Sequence, residues 1–150
     1  MEINMIAISS DHGAVELKES VKEYLSNNGY EFNDFGTYST DSCDYPIYTE
    51  KAARAVASGE YDRGIVLCST GIGASIVANK VSGIRCALCS EPYSAEMTRR
   101  HNDSNILAMG AAVVGENLAL RILEVWLNTE FEGGRHQRRV DQITDIESNH

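Results

Sequence analysis

Basic residues are scarce in this chain, and their scarcity is the first limit on function. Lys and Arg number 13 against 22 Asp and Glu, a formal net charge of −9. No bulk cationic surface is available to neutralise a polyphosphate backbone, so nucleic acid is excluded as the main partner. Any anionic ligand must instead meet a local cluster of donors. Long apolar runs are missing as well. No stretch approaches the roughly 20 residues that a membrane span needs, and MEINMIAISSDHG has neither a basic leader nor a long apolar core. The expected compartment is the cytoplasm, where Cys43, Cys68, Cys86 and Cys89 read as free thiols. Cys86 and Cys89 form a CxxC, but GIRCALCSE reads as a strand, in which positions three apart point to opposite faces. No metal-ligand pattern is present, and neither a Walker A loop nor GxGxxG occurs.

What is present is an alternation. INMIAIS reads as a buried strand ending at SDHG, and Ala14, Leu17, Val21, Tyr24 and Leu25 follow at helical spacing up to a stop at Gly29. YEFNDFG alternates like a strand, and Pro46 opens a helix that closes near Gly59. RGIVLC is a third strand, with a third helix over 73–80. IRCALC is a fourth strand, and EPYSAEMTRRHN is a helix with Pro92 in its first turn. NILAMGAAVVG supplies a fifth strand, Leu118–Leu127 an apolar helix, and Val140, Ile143 and Ile146 a final helical segment over about 136–148. Strands separated by helices of this length imply βαβ units. The expected fold is α/β, a three-layer αβα sandwich on a five-stranded parallel sheet, with residues 1–150 as one domain. Ligands in such folds bind beyond the carboxyl ends of the strands, near the switch in strand order. SDHG and CSTGIG both fall there.

In CSTGIG, Gly71 and Gly73 permit a tight turn that exposes consecutive N–H groups at a helix start, where negative charge is favoured. The same pattern fits a purely structural turn. Cys68, the last strand residue before it, fits either a small buried side chain or a reactive thiol, since helix N-termini favour thiolates. Asp11 and His12 fit a ligand crevice, and Asp11 equally fits an N-cap. His101 and Asn102 close a helix, where a cationic His suits the dipole. Arg135, Arg138 and Arg139 stand at i, i+3 and i+4, so one helical face presents three guanidinium groups: a solvated surface or a phosphate clamp. His136 lies beside them. Together these residues supply a base, an oxyanion cradle, two histidines and an arginine anchor, a set suited to proton transfer on a small phosphorylated substrate.

Over nearly its whole length the chain resembles the type B ribose-5-phosphate isomerases. The resemblance is carried by DHGAVELK, DYPIYTEKAARAVASGE, GIVLCSTGIGASIVANKVSGIRCALCSEPYSAEMTRRHNDSNILAMG and EFEGGRHQRRV. Galactose-6-phosphate and allose-6-phosphate isomerases belong to the same broader family. The resemblance implies a Rossmann-like sandwich, a homodimer or dimer of dimers with active sites between subunits, and a C-terminal helix packed on the partner. It implies metal-free, cofactor-free interconversion of ribose 5-phosphate and ribulose 5-phosphate through a cis-enediolate, a step of the pentose phosphate pathway. The alternatives are an allose-6-phosphate or galactose-6-phosphate isomerase, or a non-catalytic sugar-phosphate sensor on the same fold.

Carried over by position, the resemblance makes Cys68 the base that moves the proton between C1 and C2. A second branch uses a glutamate just inside the next helix, and that position here is Ala74. His101 would open the furanose ring, lent by the neighbouring subunit together with Asn102. Thr70 and Asp11 would assist ring opening and hydroxyl binding, and Tyr45 would line the pocket. The N–H groups of Ser69, Thr70, Gly71, Ile72 and Gly73 would hold the enediolate oxygen. His12, Arg135 and Arg139 would bind the phosphate. Ala112 occupies a position where an arginine is common in the family, which makes Arg138 a candidate replacement.

Overall fold

The computed structural model describes residues 2–149, so both ends of the expected 1–150 domain lie just outside it. Five strands, β1 (Met5–Ser10), β2 (Glu31–Asp34), β3 (Arg63–Cys68), β4 (Cys86–Leu88) and β5 (Ile106–Gly110), form one sheet in the order β2-β1-β3-β5-β4. Every pairing is parallel. Helices α1 (Val15–Asn27), α2 (Tyr45–Ala57), α3 (Ile72–Asn79), α4 (Pro92–Asn102), α5 (Glu116–Leu127) and α6 (Arg135–Ser148) complete the chain, with a 3-10 turn over His12–Ala14. The fold is the three-layer αβα sandwich read from the alternation.

Pleat parity sorts the core into two unequal faces. Ile6, Ile8, Ile65, Leu67, Leu107 and Met109 point to one side, where they meet Leu17, Val21 and Leu25 of α1 and Ile122, Leu123 and Trp126 of α5. Ala7, Val66, Cys68, Ile106 and Ala108 point to the other, against Ala52, Ala53 and Val56 of α2 and Ala74 and Ala78 of α3. The second face is built of small residues, so α2 and α3 lie close to the sheet. Cys68 belongs to that face by its place in the β3 pleat.

The strands are shorter than the apolar runs. The run NILAMGAAVVG ends as strand at Gly110, because Val113 and Val114 donate their N–H groups back to the Gly110 carbonyl and turn the chain. A Cβ at Gly110 would overlap the backbone of Thr70, so the two loops approach at a spot only glycine allows. IRCALC contracts to three residues at the sheet edge. Cys86 packs with the small-residue face and Cys89 with the other, as strand alternation requires. Burial pushes the Cys86 thiol far up, with the Cys89 charge adding, and pushes Cys89 up to about 12. Burial thus disfavours the thiolate at both positions. The helix α6 buries only His136 and Val140, leaving Ile143 and Ile146 48% and 64% exposed. Among the described residues, no helix is long and apolar enough to cross a membrane.

Candidate active site

The chain leaves β1 toward β2 on one side and returns to β3 on the other, so the switch in strand order lies between β1 and β3. The turns after those two strands meet there. Gly71 takes a left-handed conformation with φ +79°, and its missing side chain lets it approach the Met109 backbone, which a Cβ would meet at 2.7 Å. This conformation turns the Gly71 N–H onto Cys68 Sγ at 3.1 Å. The Ile72 N–H is taken by Thr70 Oγ1 at 3.2 Å. Gly73 follows in the first turn of α3, where an N–H has no partner inside the helix.

A cavity of about 400 Å³ opens at this place, lined by Asp11, Tyr45, Cys68, Ser69, Thr70, Ile72, Gly73 and Ile76. Cys68 (5% exposed) and Asp11 (8%) are its buried members, while Ser69, Thr70 and Ile72 are exposed around them. Asp11 caps the turn after β1 and also lines the cavity. Its Oδ1 caps the 3-10 turn by accepting the Gly13 N–H at 3.0 Å, and its other oxygen remains for the cavity. Tyr45, at the start of α2, leans against Gly73 so closely that a Cβ there would lie 2.5 Å from the ring. A Cβ at Gly13 would lie 2.5 Å from Ser69 Oγ. Glycines thus join the turn after β1, the turn after β3 and the start of α2 into one wall.

His12 sits on the far side of that wall, in a second hollow of about 460 Å³ bordered by Glu16, Ser20, Thr40, Val114 and Glu116. The N–H of Cys43 donates to His12 Nδ1 at 3.2 Å. A neutral His12 therefore carries its proton on Nε2, which leaves that nitrogen as a donor.

His101 and Asn102 lie elsewhere. In a parallel sheet each connecting helix runs back to the amino ends of the strands, and α4 does so. Residue Ile106, just past Asn102, pairs with Gly64, whereas Cys68 pairs with Gly110. Four residues of strand, roughly 13 Å at about 3.3 Å each, separate the two levels. One protomer cannot bring His101 to its own Cys68. The arginines go with His101, whose ring stacks on that of His136 with centroids 4.1 Å apart, beside the exposed Arg135, Arg138 and Arg139 at the start of α6. The residues named from the sequence therefore fall into two candidate half-sites at opposite ends of the sheet. One holds Asp11, His12, Tyr45, Cys68, Ser69, Thr70, Gly71, Ile72 and Gly73; the other holds His101, Asn102, Arg135 and Arg139. Ala112 belongs to the first half by its backbone, since its N–H donates to the Ser69 carbonyl at 2.8 Å.

Several residues that shape the site escaped sequence reading. Ile76 lines the cavity one helical turn beyond Ile72, a spacing that reads equally as ordinary core. Gly13 and Gly110 act by lacking a side chain, and Cys43 acts through its backbone. Glu132 joins His101 and His136 in a group whose candidate ligand atoms all lie within 4.8 Å of one another. It comes from the loop between α5 and α6, so no periodicity marked it.

The first half-site offers a buried sulfur, a carboxylate and hydroxyls beside backbone N–H donors, equipment for moving a proton next to a carbonyl. Comparison with known proteins finds sugar and sugar-phosphate isomerases. The sequence pattern of the family described as Ribose/Galactose Isomerase matches residues 6–143. Ribose-5-phosphate isomerase B of Escherichia coli (strain K12) is 51% identical over 142 residues, covering 95% of each chain. D-erythrulose-4-phosphate isomerase of Pectobacterium atrosepticum is 43% identical over 141 residues, covering 92% of this chain and 91% of that one. Among solved structures, ribose-5-phosphate isomerase B of Clostridium thermocellum superposes with a TM-score of 0.95 at 54% identity, covering 97% of this chain and 98% of that one.

Proposed function

The chain belongs to the Ribose/Galactose Isomerase family, and from that premise we propose how its residues carry out the reaction. It is an aldose–ketose isomerase that interconverts ribose 5-phosphate and ribulose 5-phosphate. The observation that carries the mechanism is Cys68 Sγ at the floor of the cavity with the Gly71 N–H directed at it.

Cys68, as thiolate, takes the proton from the carbon beside the carbonyl. The C–H electron pair moves into a carbon–carbon double bond while the carbonyl pair moves onto oxygen, giving a cis-enediolate. The hydroxyl proton then passes from one enediolate oxygen to the other, and returning the first proton to the neighbouring carbon, as the newly bared oxygen re-forms a carbonyl, completes the isomerisation. Negative charge passes from sulfur to oxygen and back, and the start of α3 favours it in both places. The N–H groups of the turn 69–73 serve the oxygen, with Ser69, Thr70 and Gly73 as the donors beyond the two already engaged with Cys68 and Thr70. A preorganised N–H donor of this kind is worth about 3 kcal/mol in the transition state. The chemistry needs no metal, because these donors supply the stabilising charge.

The ring must open first. His101 of a second copy, with Asn102, supplies the acid at the ring oxygen, and Thr70 and Asp11 hold the sugar hydroxyls. Tyr45 closes the side of the pocket. His12 binds the phosphate from one protomer, with Arg135 and Arg139 from the α6 that accompanies the incoming His101. The site is accordingly assembled by a homodimer, or a dimer of dimers, in the cytoplasm. The exposed Ile143 and Ile146 of α6 are the apolar contact with the partner, and Arg138 stands ready beside the phosphate where Ala112 offers no charge.

The test is isomerisation of four-, five- and six-carbon aldose phosphates side by side in the presence of a chelator. Ribose 5-phosphate should give the highest kcat/KM. No turnover of any sugar would leave a sensor on the same fold and reject the mechanism.

A further inference from the structure

Beside the arginines of the second half-site, but outside the reaction just derived, His136 shows an anomaly. It is 6% exposed, and its Nε2 has no hydrogen-bond partner, against the rule that buried polar atoms are paired. Burial, the neighbouring His101 and Arg135 hold its pKa below the ordinary histidine value. Glu132 Oε1 stands 3.5 Å from that Nε2. The ring of His101 lies 4.1 Å away, 8° from parallel.

The geometry points to a binding site for a divalent transition-metal ion of the zinc class, held by His136 Nε2, Glu132 Oε1 and a ring nitrogen of His101. Two imidazoles, one carboxylate and an open position for water form a donor set that such ions accept in tetrahedral geometry. The ligand atoms lie within 4.8 Å of one another, and bonds of about 2.1 Å would bring them to roughly 3.4 Å. The contraction falls on His101. Its ring is half-buried and must leave the stack on His136 to turn a nitrogen toward the ion, because the in-plane lone pairs of parallel rings do not converge. Glu132 is already oriented, because its Oε2 accepts from Arg100 Nε at 2.7 Å and leaves Oε1 for the metal. Arg135 and Arg139 stand close by and oppose a cation, which makes the ion exchangeable.

The consequence rests on the proposed role of His101. An ion on its ring nitrogen occupies the position from which the acid proton is donated, so the metal inhibits isomerisation. The site couples metal availability to turnover in an enzyme whose chemistry uses none.

The test is a titration of the sugar-free protein with Co²⁺, followed by calorimetry and by visible absorption. One ion per protomer should bind with tetrahedral ligand-field bands and without the thiolate charge-transfer band that cysteine ligation gives. Glu132→Gln and His136→Asn should each weaken Co²⁺ binding at least tenfold, whereas Cys68→Ala should leave it unchanged. A thiolate band, or undiminished affinity in both site variants, overturns the site. In the activity arm, Co²⁺ should inhibit with the midpoint at which it binds, and a chelator should restore turnover. Binding at this site with undiminished isomerisation overturns the inhibition, and with it the role of His101, while the metal site stands.

Discussion

The backbone N–H of Gly71 points at Cys68 Sγ from 3.1 Å, and the two residues sit on opposite arms of one turn. The helix that would hold the oxyanion of the intermediate thus also holds the base. Measurable consequences depend on this coupling and on the proposed division of the site between two ends of the sheet.

Replacing Cys68 with Ala should abolish isomerisation, lowering kcat by roughly a thousandfold or more, the scale on which a positioned general base contributes. The fold should survive, because the small-residue face that Cys68 joins accepts a methyl group. Steady-state kinetics beside a thermal melt separate the two effects, and activity within tenfold of the parent would remove Cys68 from the mechanism.

Gly73 and Tyr45 should be energetically coupled. In Gly73→Ala the new methyl collides with the Tyr45 ring, and the strain should appear as lost stability and a raised KM. Tyr45→Ala should relieve the strain, so a double-mutant cycle read by urea unfolding should give a coupling of about 0.5 kcal/mol or more. Additive losses would mean that the ring simply swings clear.

Two inactive variants should rescue one another. Cys68→Ala and His101→Asn protomers, unfolded together and refolded as a mixture, form mixed dimers in which one of the two sites has both parental residues. An equal random mixture should recover about a quarter of the parental activity. Recovery of none would show that Cys68 and His101 do not meet across an interface.

Arg135→Ala and Arg139→Ala should act chiefly on KM, each raising it roughly tenfold or more, the loss expected for a charge-assisted contact. The residual turnover of a sugar without phosphate should not change between parent and variant. An unchanged KM for ribose 5-phosphate would make this helical face ordinary surface.

Acid stability should report on Asp34. Burial pushes its carboxyl up, but the bond from Lys18, the Gly36 N–H and Lys22 outweigh that effect and hold its pKa below the ordinary carboxylate value. The stabilisation is therefore complete above about pH 4 and is lost as pH falls through the lower folded value. Lys18 is fully buried and also donates to the Thr37 carbonyl. Asp34→Ala leaves that ammonium without its carboxylate and should cost about 3 kcal/mol at pH 7, with the difference from the parent shrinking toward pH 2. Urea denaturation across pH 2–7 measures both, and a pH-independent difference would deny the carboxylate its part.

The alternation of apolar runs, the helix starts at Pro46 and Pro92 and the stop at Gly29 were all legible, because local pattern sets them; Gly29 is left-handed at φ +78° just past α1. The limits of β4 and β5 were not, because they depend on where another loop arrives. Gly110 ends its strand against Thr70, and Thr70 is forty residues away in sequence.

By itself the sequence determined the αβα class, the place of the ligand turns at strand ends and the types of residue that carry the chemistry, since periodicity and residue chemistry are local properties. Only the tertiary structure decided which way they face and which of them meet. Pleat parity put Cys68 on the face of small residues beneath Tyr45, and the left-handed Gly71 turned an N–H onto its sulfur. The parallel sheet sent His101 to the opposite end of the strands and stacked it on a buried His136 whose Nε2 makes no hydrogen bond. Those relationships arise from long-range contacts that no spacing along the chain records.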